Sequence, residues 1–227
     1  MMYPVGIVGV APWATIDFLK CFYGKLRVEK DWEYPHLIID LDTQIPSRGR
    51  YFDLNEENPS DAISRSIQNV LEQGAKYCAV VCNTAHILFD EWGLNFDDQL
   101  INLIGEVGVK VDMQKISKYS VFGSSYLNKF KTYANYTRTE LVSLSESDQV
   151  VVSKMINKIK TGQPINDEML ARFYSMCQQL AYEGVELAVI GCTELSILKD
   201  YEPNLPIRFI DSNEVLADCL LSHALNF

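Results

Sequence analysis

Two cysteines stand in matching surroundings. Cys82 lies in AKYCAVVCNTAH (75–86) and Cys192 in VELAVIGCTEL (185–195). Each ends an apolar run that then turns abruptly polar, through Asn83-Thr84 or Thr193-Glu194. Gly74 precedes Cys82 by eight positions and Gly184 precedes Cys192 by eight; the thiols are 110 positions apart in a chain of 227. A thiol is an acid and its thiolate a base within reach of neutral pH. One thiol on each side of a carbon could remove a proton from one face and deliver a proton to the other. Inverting a stereocentre requires that pairing, with the two groups in opposite protonation states.

Strands and helices alternate along the chain. VGIVGV (5–10), HLIIDL (36–41) and YCAVVC (77–82) read as strands, with helices at 15–25 and 61–73. The polar stretch 42–61 is too long for a plain connection and reads as a lid or binding loop. Residues 84–115 read as helix broken by Gly93, Gly105 and Gly108. The second half repeats the scheme: strands at 119–125, 139–144, 186–192 and 207–212, helices at 148–161 and 167–182, and a closing helix. Met169, Leu170, Phe173, Met176, Cys177 and Leu180 form the apolar stripe of 167–182. Such alternation predicts parallel sheets covered by helices on both faces.

The fold class is therefore α/β, two similar Rossmann-like parallel-sheet domains related by a pseudo-two-fold, with the active site in the cleft between them. The N-terminal domain is expected over 1–100 plus about 210–227, the C-terminal domain over 101–209. Ligands of parallel sheets sit at the carboxyl ends of strands. Each cysteine is expected as the last residue of its strand, followed by a turn whose caps and N–H groups face the ligand.

Composition narrows the class. Apolar residues make up 48% and charged residues 22%, which suits a globular protein. The net charge of −10 argues against a nucleic-acid partner, which needs a basic face. No apolar run approaches the ~20 residues of a membrane span. The start, MMYPVGIVGV, shows no secretory leader, and six cysteines without framework spacing suit a reducing cytoplasm. Cys21, Cys78, Cys177 and Cys219 are expected in the core. No metal-ligand spacing and no phosphate or dinucleotide cradle is legible, so no metal or cofactor is expected.

The motifs VVCNTAH and VIGCTEL closely resemble the two signature motifs of the cofactor-independent aspartate/glutamate racemase superfamily. The resemblance extends over nearly the whole chain, including GIVG at the start, QIPSR (44–48) and IKTG (159–162). Glu194 stands where glutamate racemases usually carry histidine, which looks like the aspartate racemase branch. The resemblance implies that Cys82 and Cys192 are the acid/base pair. It implies that Arg48 holds a side-chain carboxylate, with Lys160 near the same pocket. Asn83, Thr84 and Ala85 match the turn that holds the α-carboxylate; Ser124 takes the place of a threonine of similar role, and Thr193 joins them in the second turn. A homodimer acting on an acidic amino acid, aspartate or else glutamate, is the implied assembly and substrate.

The first loop departs from the family pattern. It reads GVAPWAT (9–15), where aspartate racemases have a glycine-rich loop one residue longer. Val10, Ala11 and Trp13 must reshape that wall, which bears on substrate more than on catalytic class. Superfamily alternatives are a maleate-type cis–trans isomerase, a hydantoin racemase and a non-catalytic ligand-binding member. His86 reads as a modulator of Cys82 or as a structural hydrogen-bonder. Glu194 reads as a helix cap rather than a catalytic group.

Overall fold

The computed structural model describes residues 3–225. The chain divides into two compact units, 1–106 with 213–227, and 107–212; residues 1–2 and 226–227 lie outside the described residues. The boundary falls inside one helix, and the chain re-enters the first unit after the last strand.

The first unit holds β1 (Val5–Gly9), β2 (Leu37–Leu41), β3 (Tyr77–Val80) and β4 (Leu100–Ile101), all parallel, in the order β2-β1-β3-β4. Its helices are α1 (Pro12–Gly24), α2 (Arg48–Leu54), α3 (Ser60–Glu72), the single turn α4 (Phe89–Trp92) and the start of α5 (Leu103–Asp112). The second unit holds β5 (Lys118–Gly123), β6 (Glu140–Leu141), β7 (Leu187–Gly191) and β8 (Arg208–Asp211), also parallel, in the order β6-β5-β7-β8. Its helices are α6 (Ser125–Lys129), α7 (Glu146–Lys160) and α8 (Asp167–Tyr182). The closing helix α9 (Ser212–Leu225) returns to the first unit, where Asp218 pairs with Lys25, the residue just past α1, at 2.7 Å.

β1 and β7 are buried along their whole length, which is why they read as continuous apolar runs rather than alternating ones. Ile63, Ile67 and Val70 of α3 pack with Val8 and Val80 in the first core. Phe173, Met176 and Leu180 of α8 pack with Phe122 and Ile190 in the second. Asn166 caps α8 by accepting from the Met169 amide at 3.0 Å, and Ser145 caps α7 by accepting from Asp148.

The repeated glycine has a conformational cause. Gly74 and Gly184 adopt φ +105° and +86°, in the left-handed region that glycine enters without penalty. Gly74 N–H bonds to the Leu71 carbonyl and Ala75 N–H to that of Val70. Gly184 and Val185 bond to Ala181 and Leu180 in the same way. Both are paired C-terminal caps that stop a helix and send the chain into the third strand of its sheet.

Several boundaries differ from those the sequence suggests. The stretch 42–61 is not a plain loop: Ser47 accepts from the Arg50 amide and starts α2, which ends at Asn55 with φ 52°. Gly105 and Gly108 do not break α5. A Cβ on Gly108 would lie 2.4 Å from the Tyr136 carbonyl oxygen, so this glycine answers a close backbone approach. The span 84–100 is a succession of short 3-10 and α turns leading into β4, a two-residue strand that periodicity cannot reveal. β6 is also only two residues, against the six expected.

Candidate active site

Neither thiol is a strand residue. β3 ends at Val80, Val81 N–H still bonds to Val8 of β1, and Cys82 N–H then bonds to the Val80 carbonyl at 2.9 Å. That tight turn swings Cys82 out of the ladder. Cys192 follows directly after Gly191, the last residue of β7. Both cysteines are partly buried. They occupy equivalent places: each follows the third strand in the spatial order of its own sheet, at the carboxyl edge. The elements after them are 3-10 helices, Thr84–Leu88 and Thr193–Asn204, not α-helices. Asn83 precedes the first in αR conformation and makes no side-chain cap.

In the first unit, Asn83 and Ala85 are buried and Thr84 is partly buried. The Ala85 carbonyl accepts from the Trp92 indole at 3.2 Å, so its side chain and carbonyl serve the core. Arg48 begins α2, in the connection that leaves the carboxyl end of β2. It is partly buried, and one guanidinium nitrogen donates to the Pro46 carbonyl at 3.3 Å. No carboxylate pairs with it among the described residues. Arg50, two positions on, is exposed and makes a two-pronged pair with Glu56, its Nε donating at 2.6 Å. The two arginines of one short helix are therefore in different electrostatic states. Trp13 stands in the first turn of α1, just beyond β1, and is 58% exposed.

His86 lies under the Cys82 turn. Its Nδ1 is 2.8 Å from the Cys82 carbonyl, and because a carbonyl only accepts, Nδ1 carries the hydrogen. The ring stacks on Phe89 and meets Trp92 edge-on, leaving Nε2 buried without a partner among the described residues. Burial drives the imidazole down to about 4; the bond to the Cys82 carbonyl works weakly the other way. The folded protein thus keeps His86 neutral where an unfolded chain would bind a proton. Its contribution to stability is complete above pH ~6.5 and is lost as pH falls toward the folded value, by about 1.4 kcal/mol per pH unit. Urea unfolding at pH 7 and pH 5 checks this. The stability difference between wild type and His86→Gln should move by about 2 kcal/mol against the wild type at pH 5. A difference that stays constant would mean that His86 takes up its proton in the fold as readily as in the unfolded chain.

In the second unit, Ser124 follows β5 and precedes α6, and its side chain makes no cap. Thr193 is buried. Lys160 is the last residue of α7 and half exposed, and its Nζ lies 3.8 Å from Glu194 Oε1. Glu194 is itself buried, and its Oε2 accepts from the Cys192 thiol at 2.9 Å. The helix-cap reading of Glu194 misses this contact. Its signal in the sequence, an acid two residues after the thiol, is too common to single out.

The remaining cysteines divide. Cys78 and Cys177 are fully buried, and burial pushes each thiol up to about 12. Cys21 and Cys219 are only partly buried, on α1 and α9, and are not core residues. No helix among the described residues is long and apolar enough to cross a membrane.

Two parallel α/β units of one strand order, each with a thiol turn after its third strand, define a duplicated α/β protein. The model of the Asp/Glu/hydantoin racemase family matches residues 7–220, and the chain belongs to that family of isomerases. It is 23% identical over 236 residues to the broad specificity amino-acid racemase RacX of Bacillus subtilis (strain 168), covering 98% of this chain and 99% of the relative. Among solved structures, Picrophilus torridus aspartate racemase superposes with a TM-score of 0.83 at 24% identity, covering 98% of this chain and 94% of that one. Glutamate racemase from Thermus thermophilus in complex with β-chloro-D-alanine superposes with a TM-score of 0.64 at 17% identity, covering 99% and 81%. At these identities the structural likeness is one of fold.

Proposed function

We propose that this protein interconverts the enantiomers of an acidic amino acid, aspartate before glutamate, by two-thiol acid/base catalysis without a cofactor. The observation that carries the reading is the equivalence of Cys82 and Cys192, each just past the third strand of its own parallel sheet. One sulfur, as thiolate, takes the α-proton, and the electron pair of the Cα–H bond is left on the substrate. The other, as thiol, gives its proton to the opposite face. The two sulfurs end with their protonation states exchanged. Asn83, Thr84, Thr193 and Ser124 are proposed to receive the α-carboxylate with hydroxyl, amide and backbone N–H groups. Fixed donors of this kind lower the cost of the carbanion most effectively where water is excluded. Arg48, unpaired by any carboxylate among the described residues, supports an acidic side chain on the substrate. Lys160 is proposed to act at the same end of the site.

A second reading, a wider range of side chains, is favoured by the exposed Trp13 and by the likeness to a racemase described as broad in specificity. Incubation of the purified protein with single enantiomers in D₂O, followed by NMR and chiral chromatography, separates the readings. Deuterium should enter Cα of aspartate as D- and L-forms interconvert, at a rate unchanged by stripping pyridoxal phosphate. Faster turnover of neutral amino acids would favour the broad reading. Turnover of maleate or a hydantoin, with no amino acid exchanging its α-proton, would overturn both.

A further inference from the structure

Glu194 is a buried carboxylate between two partners of different kind. Its side chain is 5% exposed, with the Cys192 thiol donating to one oxygen and Lys160 of α7 facing the other. A carboxylate withdrawn from water is tolerated only when its charge and lone pairs are met. Here a thiol proton meets one side and an ammonium the other. Ionising Cys192 would remove that hydrogen bond and set a second negative charge beside the first. Like charges at such range oppose ionisation, and a cation on the far side relieves them.

One further group is coupled to the same sulfur. Tyr133, in the 3-10 helix Thr132–Tyr136, is fully buried and interacts electrostatically with Cys192 and Asp211. Burial above all keeps its phenol protonated, well above the ordinary tyrosine range, so it adds no charge. Asp211 ends β8, beside Ile190 of β7, and is buried. Asp211 acts on Tyr133, and Lys160 is a cation set against Glu194.

We propose that Glu194 holds Cys192 in its thiol form and that Lys160 loosens this hold by offsetting the Glu194 charge, acting on the sulfur through the carboxylate. Glu194 is then a positioning residue for a proton, and this role of Lys160, added to the one proposed for it at the substrate, runs through the carboxylate. The inference deepens the two-thiol reading and rests on it for its catalytic meaning: the resting enzyme keeps Cys192 as the acid. Because enantiomers are equal in energy, kcat/KM must be the same in both directions. The asymmetry therefore enters kcat and KM in parallel.

The test reads the thiols directly and needs no turnover. Iodoacetamide alkylation is followed across pH 6 to 10, with each cysteine quantified by the mass of its own proteolytic peptide. Glu194→Gln should move the Cys192 midpoint to lower pH by about one unit or more. Lys160→Met should move it the opposite way, and should do nothing in the Glu194→Gln background. The Cys82 profile should be unchanged throughout. Buried Cys177 reports folding by staying unreactive, and Lys160→Met, at a half-exposed position, carries the test should Glu194→Gln not fold. An unmoved Cys192 midpoint in folded Glu194→Gln, or a Lys160→Met shift of the same sign, overturns the proposal. Shifted midpoints in a protein that racemises nothing would leave the coupling standing and sink the racemase reading. Racemisation with unmoved midpoints would do the reverse.

Discussion

Cys82→Ser and Cys192→Ser are each expected to abolish racemisation. Inversion needs a base on one face and an acid on the other, so loss of either sulfur stops it. A serine hydroxyl is far too weak an acid to give up its proton near neutral pH, and positioned acid/base groups contribute roughly 10²–10⁴-fold each. The remaining activities should nevertheless differ. A variant with one thiolate can exchange the α-proton of one enantiomer for deuterium and return it to the same face, without inversion. The other variant should prefer the opposite enantiomer. Chiral chromatography and NMR in D₂O, on each enantiomer separately, read both quantities. Mirror-image preferences would place the two sulfurs on opposite faces of Cα. Near wild-type racemisation by either variant would reduce that cysteine to a packing residue.

The second large effect is expected at Arg48. A guanidinium offers a planar fork that matches a carboxylate at two points, which lysine does not reproduce. Arg48→Ala should lose about 2–5 kcal/mol of transition-state binding for an acidic substrate, because it leaves the substrate carboxylate without a counter-charge. In rates that is roughly a 30- to 5000-fold fall in kcat/KM. Arg50→Ala is the internal control: its guanidinium is exposed and already committed to Glu56, so the variant should stay near the wild-type rate. Steady-state kinetics on aspartate decides the matter. Small, equal effects at both positions would falsify the assignment of Arg48 to the site.

The local signals in this chain were strong because they are local. Gly74 and Gly184 each bond to the carbonyl three positions back, and the residue after each bonds to the carbonyl five positions back, so their meaning lies within a few residues. The interior strands β1, β3, β5 and β7 lie between two neighbours and read as mostly apolar runs, a pattern visible without knowing the partner. The strand–cysteine spacing is legible for the same reason, since helix end, strand and turn follow in order. Membership of the racemase family is shown by the match over residues 7–220, to which the resemblance of the two cysteine motifs already pointed.

Other features depend on partners far along the chain. β4 and β6 are two-residue strands, held by pairing with β3 and β5 rather than by their own composition. Gly108 inside α5 makes sense only beside the Tyr136 carbonyl. Arg48 and Arg50 look alike in QIPSRGR, and only the fold turns Arg50 onto Glu56 and leaves Arg48 without a carboxylate partner among the described residues. His86 could be a surface or a buried imidazole by sequence; Phe89 and Trp92 closing over it decide the matter by desolvation. Glu194 shows the same division most sharply. Its place two residues after Cys192 is written in the sequence, but Lys160 belongs to another helix, and the link through one carboxylate exists only where the fold brings α7 against the Cys192 turn. Electrostatic coupling falls off with distance in space, not along the chain, so no reading of residue order could have supplied it.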